Sequence, residues 1–189
     1  MLREGREDAG ELVGHSASEW LTLPRILRRD DVGRDDVFVD LGCGEGRMLL
    51  EAARRYPFKR VVGVELSGQL AAVASRNVAG HGRIEVVRSN VLDWPIPPDT
   101  SVFYLYNPFK GSVFARTVAR IIASAAAHPR RIRLIYQLPR EEAALLATGH
   151  FRRVRIGHSL LGARERNPNI VLYELQEKRV SEAEPSVSP

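Results

Sequence analysis

The chain has 189 residues, 44% hydrophobic and 27% charged, which is enough apolar material for one domain with a sizeable core. Its net charge of +5 rests on 25 arginines against 3 lysines, spread along the chain rather than clustered with aromatics, so a nucleic-acid partner is possible but not favoured. The single cysteine excludes an intramolecular disulfide, no apolar run is long enough for a membrane span, and residues 1–5 lack a signal-peptide pattern, so a cytoplasmic setting is expected.

Residues 1–16 are polar, contain Gly5, Gly10 and Gly14, and are expected to form a mobile segment. A single domain is expected over 17–176, followed by a disordered tail over 177–189. Residues 18–29 are predicted as a helix, capped by Ser16 or Ser18 and kinked at Pro24. The near-continuous apolar run over 37–41 reads as a buried strand that includes Asp40, and glycines follow at alternate positions, Gly42, Gly44 and Gly46. Glycine there lets the backbone approach a ligand closely and turn sharply into a helix, predicted over 46–56. The G-x-G-x-G spacing departs from the G-x-G-x-x-G dinucleotide fingerprint, which argues against a nicotinamide-dependent oxidoreductase. Cys43 reads as a small residue tolerated beside a ligand rather than as a nucleophile.

A second buried strand over 60–65 ends in Glu65, about 20 residues beyond the glycines, where a βαβ nucleoside site places an acid. Glu65 can also be read as the acid that opens the helix predicted over 67–79. Alternation gives a strand over 83–88 and a turn at Ser89-Asn90-Val91; a proline-containing loop, 92–100, follows. The strand over 101–106 leads into Asn107-Pro108-Phe109. Helices are predicted over 111–127 and 139–148, strands over 131–138, 150–157 and 169–176, and a hairpin-like link over 159–168. Helices on both faces would cover such apolar strands, and ligands bind beyond their carboxyl ends. Asp40, Glu65, Asn90 and Asn107 all fall at such ends. No His, Cys or carboxylate spacing suggests a metal site, and no internal repeat is present.

Asp40-Leu41-Gly42-Cys43-Gly44-Glu45-Gly46-Arg47, together with Val62-Gly63-Val64-Glu65, resembles the first motifs of class I S-adenosylmethionine (SAM) methyltransferases. The resemblance covers residues 35–176. It implies a doubly wound α/β fold whose seven-stranded sheet is mostly parallel, with an antiparallel last strand between the fifth and sixth. It implies SAM as cofactor, held by Asp40, Gly42, Cys43, Gly44 and Gly46 around the methionine moiety and by Glu65 at the ribose. Asn90 and the backbone amide of Val91 would meet the adenine, and Asn107 would contact SAM or the acceptor. Asn107-Pro108-Phe109 is similar to the Asn-Pro-Pro-aromatic tetrapeptide of amino-group methyltransferases but lacks one proline, which breaks the register of that amine clamp. Tyr106, nearest the strand end, joins Asn107 as a candidate catalytic residue, whereas Phe103 and Tyr104 read as strand core. His158 reads as a surface histidine before a general base. The expected reaction is methyl transfer to a nitrogen or oxygen of a small-molecule or anionic substrate, because Lys110, Arg140, Arg164 and Arg166 outnumber Glu141 and Glu165 on the rim. The alternatives are a protein-lysine methyltransferase, to whose compact forms the same segments are similar, and a non-catalytic SAM-binding partner subunit.

Overall fold

Seven strands form one sheet in the order β3-β2-β1-β4-β5-β7-β6, as seen in a computed structural model that describes residues 21–158 and 166–176. The elements are β1 (Val37–Leu41), α1 (Arg47–Arg55), β2 (Arg60–Glu65), α2 (Gly68–Asn77), β3 (Ile84–Arg88), β4 (Thr100–Tyr106), α3 (Gly111–Ala127), β5 (Arg133–Gln137), α4 (Glu142–Ala147), β6 (Phe151–His158) and β7 (Arg166–Leu175). The expected mobile segment 1–16, the tail 177–189 and residues 159–165 of the predicted link lie outside the described residues.

Strands β1 to β5 pair in parallel, and the register brings Glu65 beside Arg88 and Tyr106 beside Gln137 at one rim. β7 runs antiparallel between β5 and β6, the arrangement that the sequence resemblance implies. β1 is buried along its whole length and β4 up to its last residue, which is why they read as apolar runs; the edge strand β3 has no fully buried residue, and Glu85 and Arg88 are exposed. α1, α2 and the segment 21–32 cover one face, through Met48, Leu49, Ala74, Leu23, Ile26 and Leu27. α3 and α4 cover the other with Val113, Phe114, Val118, Ile121 and Leu145. Residues 89–99 turn without forming a helix, in agreement with the prolines there.

The helix predicted over 18–29 is not what residues 21–31 form. Two 3-10 turns, Leu23–Arg25 and Arg29–Asp31, stand there instead. Pro24 removes a backbone donor at the first turn, and Leu21 adopts a left-handed φ of 70°. Tertiary anchors supply what helical hydrogen bonding would have. Tyr56 donates to the Leu27 carbonyl at 2.8 Å, and Arg155 donates to the Ile26 carbonyl at 2.9 Å and to Asp31 Oδ2 at 2.6 Å. Arg25 Nε donates to the His158 carbonyl at 2.9 Å, and Arg133 donates to the Asp31 carbonyl. α4 is shorter than the predicted 139–148 because Leu138, with φ 50°, and Pro139 turn the chain before it.

At the base of the sheet, Asp36 Oδ1 accepts from Arg133 at 2.7 Å and from Ser101 Oγ at 2.6 Å. Burial alone would raise its carboxyl, but the hydrogen bonds from Ser101 and Gly33 and the charge of Arg133 hold it below the usual value of 3.8. A depressed carboxyl contributes stability above its unfolded pKa and loses it as pH falls through the folded one. Asp36→Asn is therefore expected to cost about 1 kcal/mol near neutral pH and progressively less as pH falls below 3.8, read as the difference between urea midpoints at neutral and acid pH.

Candidate active site

The glycine loop is built on β2 as much as on β1. The Gly42 and Cys43 amides both donate to the Val64 carbonyl, at 2.8 and 3.1 Å, and Gly46 closes the turn onto the Cys43 carbonyl at 2.9 Å. Gly42, Gly44 and Gly46 take φ values of 88°, 54° and 82°, left-handed backbone that a side chain would strain. A Cβ at Gly42 would lie 2.7 Å from the Pro108 Cβ, so the loop after β1 rests directly on the turn after β4. Asn77, at the end of α2, donates to the Glu45 carbonyl at 3.0 Å and pins the loop's outer side.

Glu65 stands beneath this loop. Its Oε2 accepts from the Gly44 amide at 2.9 Å, and its Oε1 from the Ser67 amide at 2.8 Å. Each carboxylate oxygen keeps a second lone-pair site for a ligand hydroxyl. Asp40 is buried beside it, and burial, then the Glu65 charge, pushes its carboxyl well above the usual range. Burial, then the neighbouring Asp40 and Glu65, push the Cys43 thiol up, and its Sγ packs where a Gly63 Cβ would sit; a protonated, packed thiol is a poor nucleophile. A carboxyl with a raised folded pKa weakens the fold as pH rises through that value. Asp40→Asn is accordingly expected to raise the ligand-free melting temperature at pH 8, by roughly 2–4 °C per kcal/mol relieved.

At the end of β3, Asn90 forms a turn: its Oδ1 accepts from the Leu92 amide at 2.9 Å, and its carbonyl accepts from Asp93 and Trp94. The amide group remains on the rim with Nδ2 and one oxygen lone pair uncommitted by these bonds. Val91 is half-buried against the core. Beyond β4, Asn107 takes a left-handed φ of 44° and is 5% exposed, and its buried Oδ1 has no hydrogen-bond partner among the described residues. Phe109 is buried in the core, so it is not placed to stack on an acceptor as the aromatic of the similar tetrapeptide does. Tyr106 is half-buried at the strand end and packs against the same core face as Tyr104. His158 is exposed, and its carbonyl is engaged by Arg25.

The structure thus brings Asp40, Gly42, Cys43, Gly44, Gly46, Glu65, Asn90, Val91, Tyr106 and Asn107 to one rim. It adds residues that the sequence reading did not select. Leu66 is an exposed apolar side chain directly after Glu65, and its signal was an apolar residue stranded beyond a strand-end acid. Gln137 ends β5 and accepts from the Tyr104 hydroxyl; a polar residue closing an apolar strand was the available sign. Asn77 carried no local signal, because its partner is 32 residues away. Lys110, Arg140 and Arg166 are exposed and form no ion pair among the described residues, while Glu141 is engaged with the Gly111 amide at 3.3 Å. Arg164 and Glu165 lie outside the described residues. Among the described residues no group of three metal-ligating side chains stands together, and no helix is long and apolar enough to cross a membrane.

Residues 38–128 match the family model described as a methyltransferase domain. A protein-lysine N-methyltransferase of Saccharolobus islandicus is 35% identical over 81 residues, 41% of this chain and 50% of that protein. A trans-aconitate 2-methyltransferase of Rhodopseudomonas palustris is 30% identical over 116 residues, 61% of this chain and 36% of that protein. The chain spans half or less of the length of these relatives. In fold, it is similar to an RNA methyltransferase of Salinibacter ruber solved with S-adenosyl-L-homocysteine. The TM-score is 0.56 and the identity 20%, with 89% of this chain and 98% of that one covered.

Proposed function

Since the chain belongs to the class I S-adenosylmethionine-dependent methyltransferases, we propose that it transfers a methyl group from SAM to a nitrogen or oxygen atom of a small anionic acceptor. The observation that carries the reading is the buried Asn107 Oδ1 at the rim, with Lys110 and Arg140 on the segments that leave β4 and β5; among the described residues the oxygen has no hydrogen-bond partner and the two cations form no ion pair. A buried oxygen without a donor is costly, about 1–3 kcal/mol, and a ligand N–H or O–H would satisfy it.

The residues present fit the cofactor. The glycine loop is held in left-handed backbone, and its amides are fixed by Val64 and Glu65. Glu65 offers two carboxylate oxygens to the ribose hydroxyls, and Leu66 and Val91 offer apolar surface to the adenine beside the Asn90 amide. The Glu65 carboxylate, held beneath the loop by the Gly44 amide, suits the positive charge of the methionine moiety. When bound, SAM supplies a sulfonium-activated methyl group, so the chain has little covalent chemistry to perform. Asn107 orients the acceptor through its side-chain oxygen, and Pro108, pressed on Gly42, fixes that turn against the cofactor loop. Lys110 and Arg140 attract the acceptor's negative charge.

A second reading, a protein-lysine acceptor, is favoured by the similarity to the Saccharolobus islandicus enzyme. Lys110 and Arg140 count against it, since an ammonium-bearing side chain would meet like charge at the mouth. One experiment separates the two. A host extract, split into protein, nucleic-acid and anion-exchange metabolite fractions, is incubated with the enzyme and methyl-labelled SAM. Label is expected in an anionic metabolite fraction; label confined to protein supports the lysine reading instead.

A further inference from the structure

We infer that Gln137 is a specificity-determining residue: its side-chain amide nitrogen donates a hydrogen bond to an oxygen of the methyl acceptor, and Tyr104 sets the orientation of that amide. The inference deepens the anionic-acceptor reading above and rests on it.

The register of β4 and β5 places Tyr104 beside Ile135 and Tyr106 beside Gln137. Side chains alternate along a strand, so Ile135 and Gln137 share one face of the sheet with Tyr104 and Tyr106. Tyr104 is 1% exposed, yet its hydroxyl does not stay in the apolar layer; it donates to Gln137 Oε1 at the strand end. That bond engages the carbonyl half of the amide and leaves Nε2 with its two hydrogens, which donate to nothing among the described residues. The first four residues of β5 are buried and Gln137 alone is half-exposed, so the uncommitted half of its amide stands at the rim. One strand away is Asn107, with its unpartnered oxygen.

Chemistry then selects the ligand. Gln137 offers a donor, Asn107 an acceptor, and Lys110 and Arg140 positive charge. A carboxylate, carbonyl or phosphoryl oxygen next to the methyl-accepting N–H or O–H satisfies all of them. A lysine ammonium, which only donates, satisfies Asn107 and leaves Gln137 Nε2 unmatched. The Tyr104 hydroxyl fixes which end of the Gln137 amide a ligand meets.

The test uses Q137E, Q137M and Y104F in the full chain, with the anion-exchange metabolite fraction that the parent labels as the acceptor source. Q137E keeps an oxygen for Tyr104 but presents a carboxylate where a donor stood; Q137M keeps the bulk and removes the polarity. Both are expected to bind S-adenosylhomocysteine within about threefold of the parent by calorimetry. The amount of fraction needed for half-maximal rate should rise at least tenfold, more for Q137E, with a smaller change in maximal rate. Y104F, which removes the hydrogen bond that holds the amide, should raise it about two- to fivefold. Parental half-saturation in Q137E and Q137M, with cofactor affinity intact, overturns the inference while leaving the anionic-acceptor reading standing. If the parent labels protein, or no fraction, that reading itself fails, and the inference with it. Should a Gln137 variant lose S-adenosylhomocysteine binding, Y104F decides: an unchanged half-saturation there overturns the role given to Tyr104 and Gln137.

Discussion

Asn107→Ala is expected to lower kcat by about 10- to 1,000-fold while S-adenosylhomocysteine still binds within about threefold of the parent. The side chain is buried, its Oδ1 has no partner among the described residues, and the turn that carries it packs on the glycine loop through Pro108 and Gly42. An interaction made chiefly with the acceptor as the methyl moves appears in kcat rather than in cofactor affinity. The left-handed backbone complicates a single substitution, because alanine at a φ of 44° adds strain of its own, about 1 kcal/mol. Asn107→Gly removes that strain together with the amide. Both variants should therefore be slow. If the glycine variant turns over like the parent, the backbone turn alone matters, and the amide is not what holds the acceptor.

Glu65→Ala is expected to weaken S-adenosylhomocysteine about 10- to 150-fold, the loss of a charge-assisted pair to the ribose at roughly 1.5–3 kcal/mol. The structure adds a second consequence. Glu65 also accepts the Gly44 and Ser67 amides, so its removal leaves two backbone donors unsatisfied beneath the loop. The ligand-free melting temperature should fall by several degrees, at about 2–4 °C per kcal/mol. Glu65→Gln separates the two roles: it retains one oxygen for a loop amide but loses the carboxylate charge. Calorimetry and thermal melts on the two variants suffice. A lowered melting temperature with cofactor affinity intact in both would reduce Glu65 to a structural tie of the glycine loop.

Much of this architecture was legible because it depends on patterns only a few residues long. The strands over 37–41 and 60–65 and the helix over 111–127 coincide with the observed elements, since buried parallel strands are continuous apolar runs and long helices repeat. The strand-end residues Asp40, Glu65, Asn90 and Asn107 were legible for the same reason: they interrupt apolar runs. What was not legible depends on distant partners. The segment 21–31 reads as a helix by composition, but Arg133, Arg155 and Tyr56, none of them near in sequence, hold it as turns. The double use of Glu65 could not be read from spacing, because the Gly44 amide meets it only once the loop has folded back on β2. The missing proline already broke the register of the similar tetrapeptide, and Phe109, which follows Pro108 directly, is a core residue.

The insertion of β7 between β5 and β6 has a consequence for the order in which the chain can assemble. β6 is made before β7, yet its hydrogen-bonded neighbour in the sheet is β7 and not β5. A ribosome releasing the chain from its amino end would therefore expose β6, with Arg152, Arg153 and Arg155 on it, before any partner for its backbone exists. The turns over 21–31 wait longer still: their anchors on Arg133, Arg155 and His158 lie 102 to 133 residues downstream. Contacts that distant are slow to close, and until they do, Leu23, Ile26 and Leu27 have no face to bury against on β5 to β7. The β1–β4 half can pair as it emerges, whereas the rim that holds Gln137 is completed only after the last strand arrives. The charges on β6 then do for the unfinished chain what edge arginines and lysines do for finished sheets, discouraging its open backbone from pairing with a neighbouring copy.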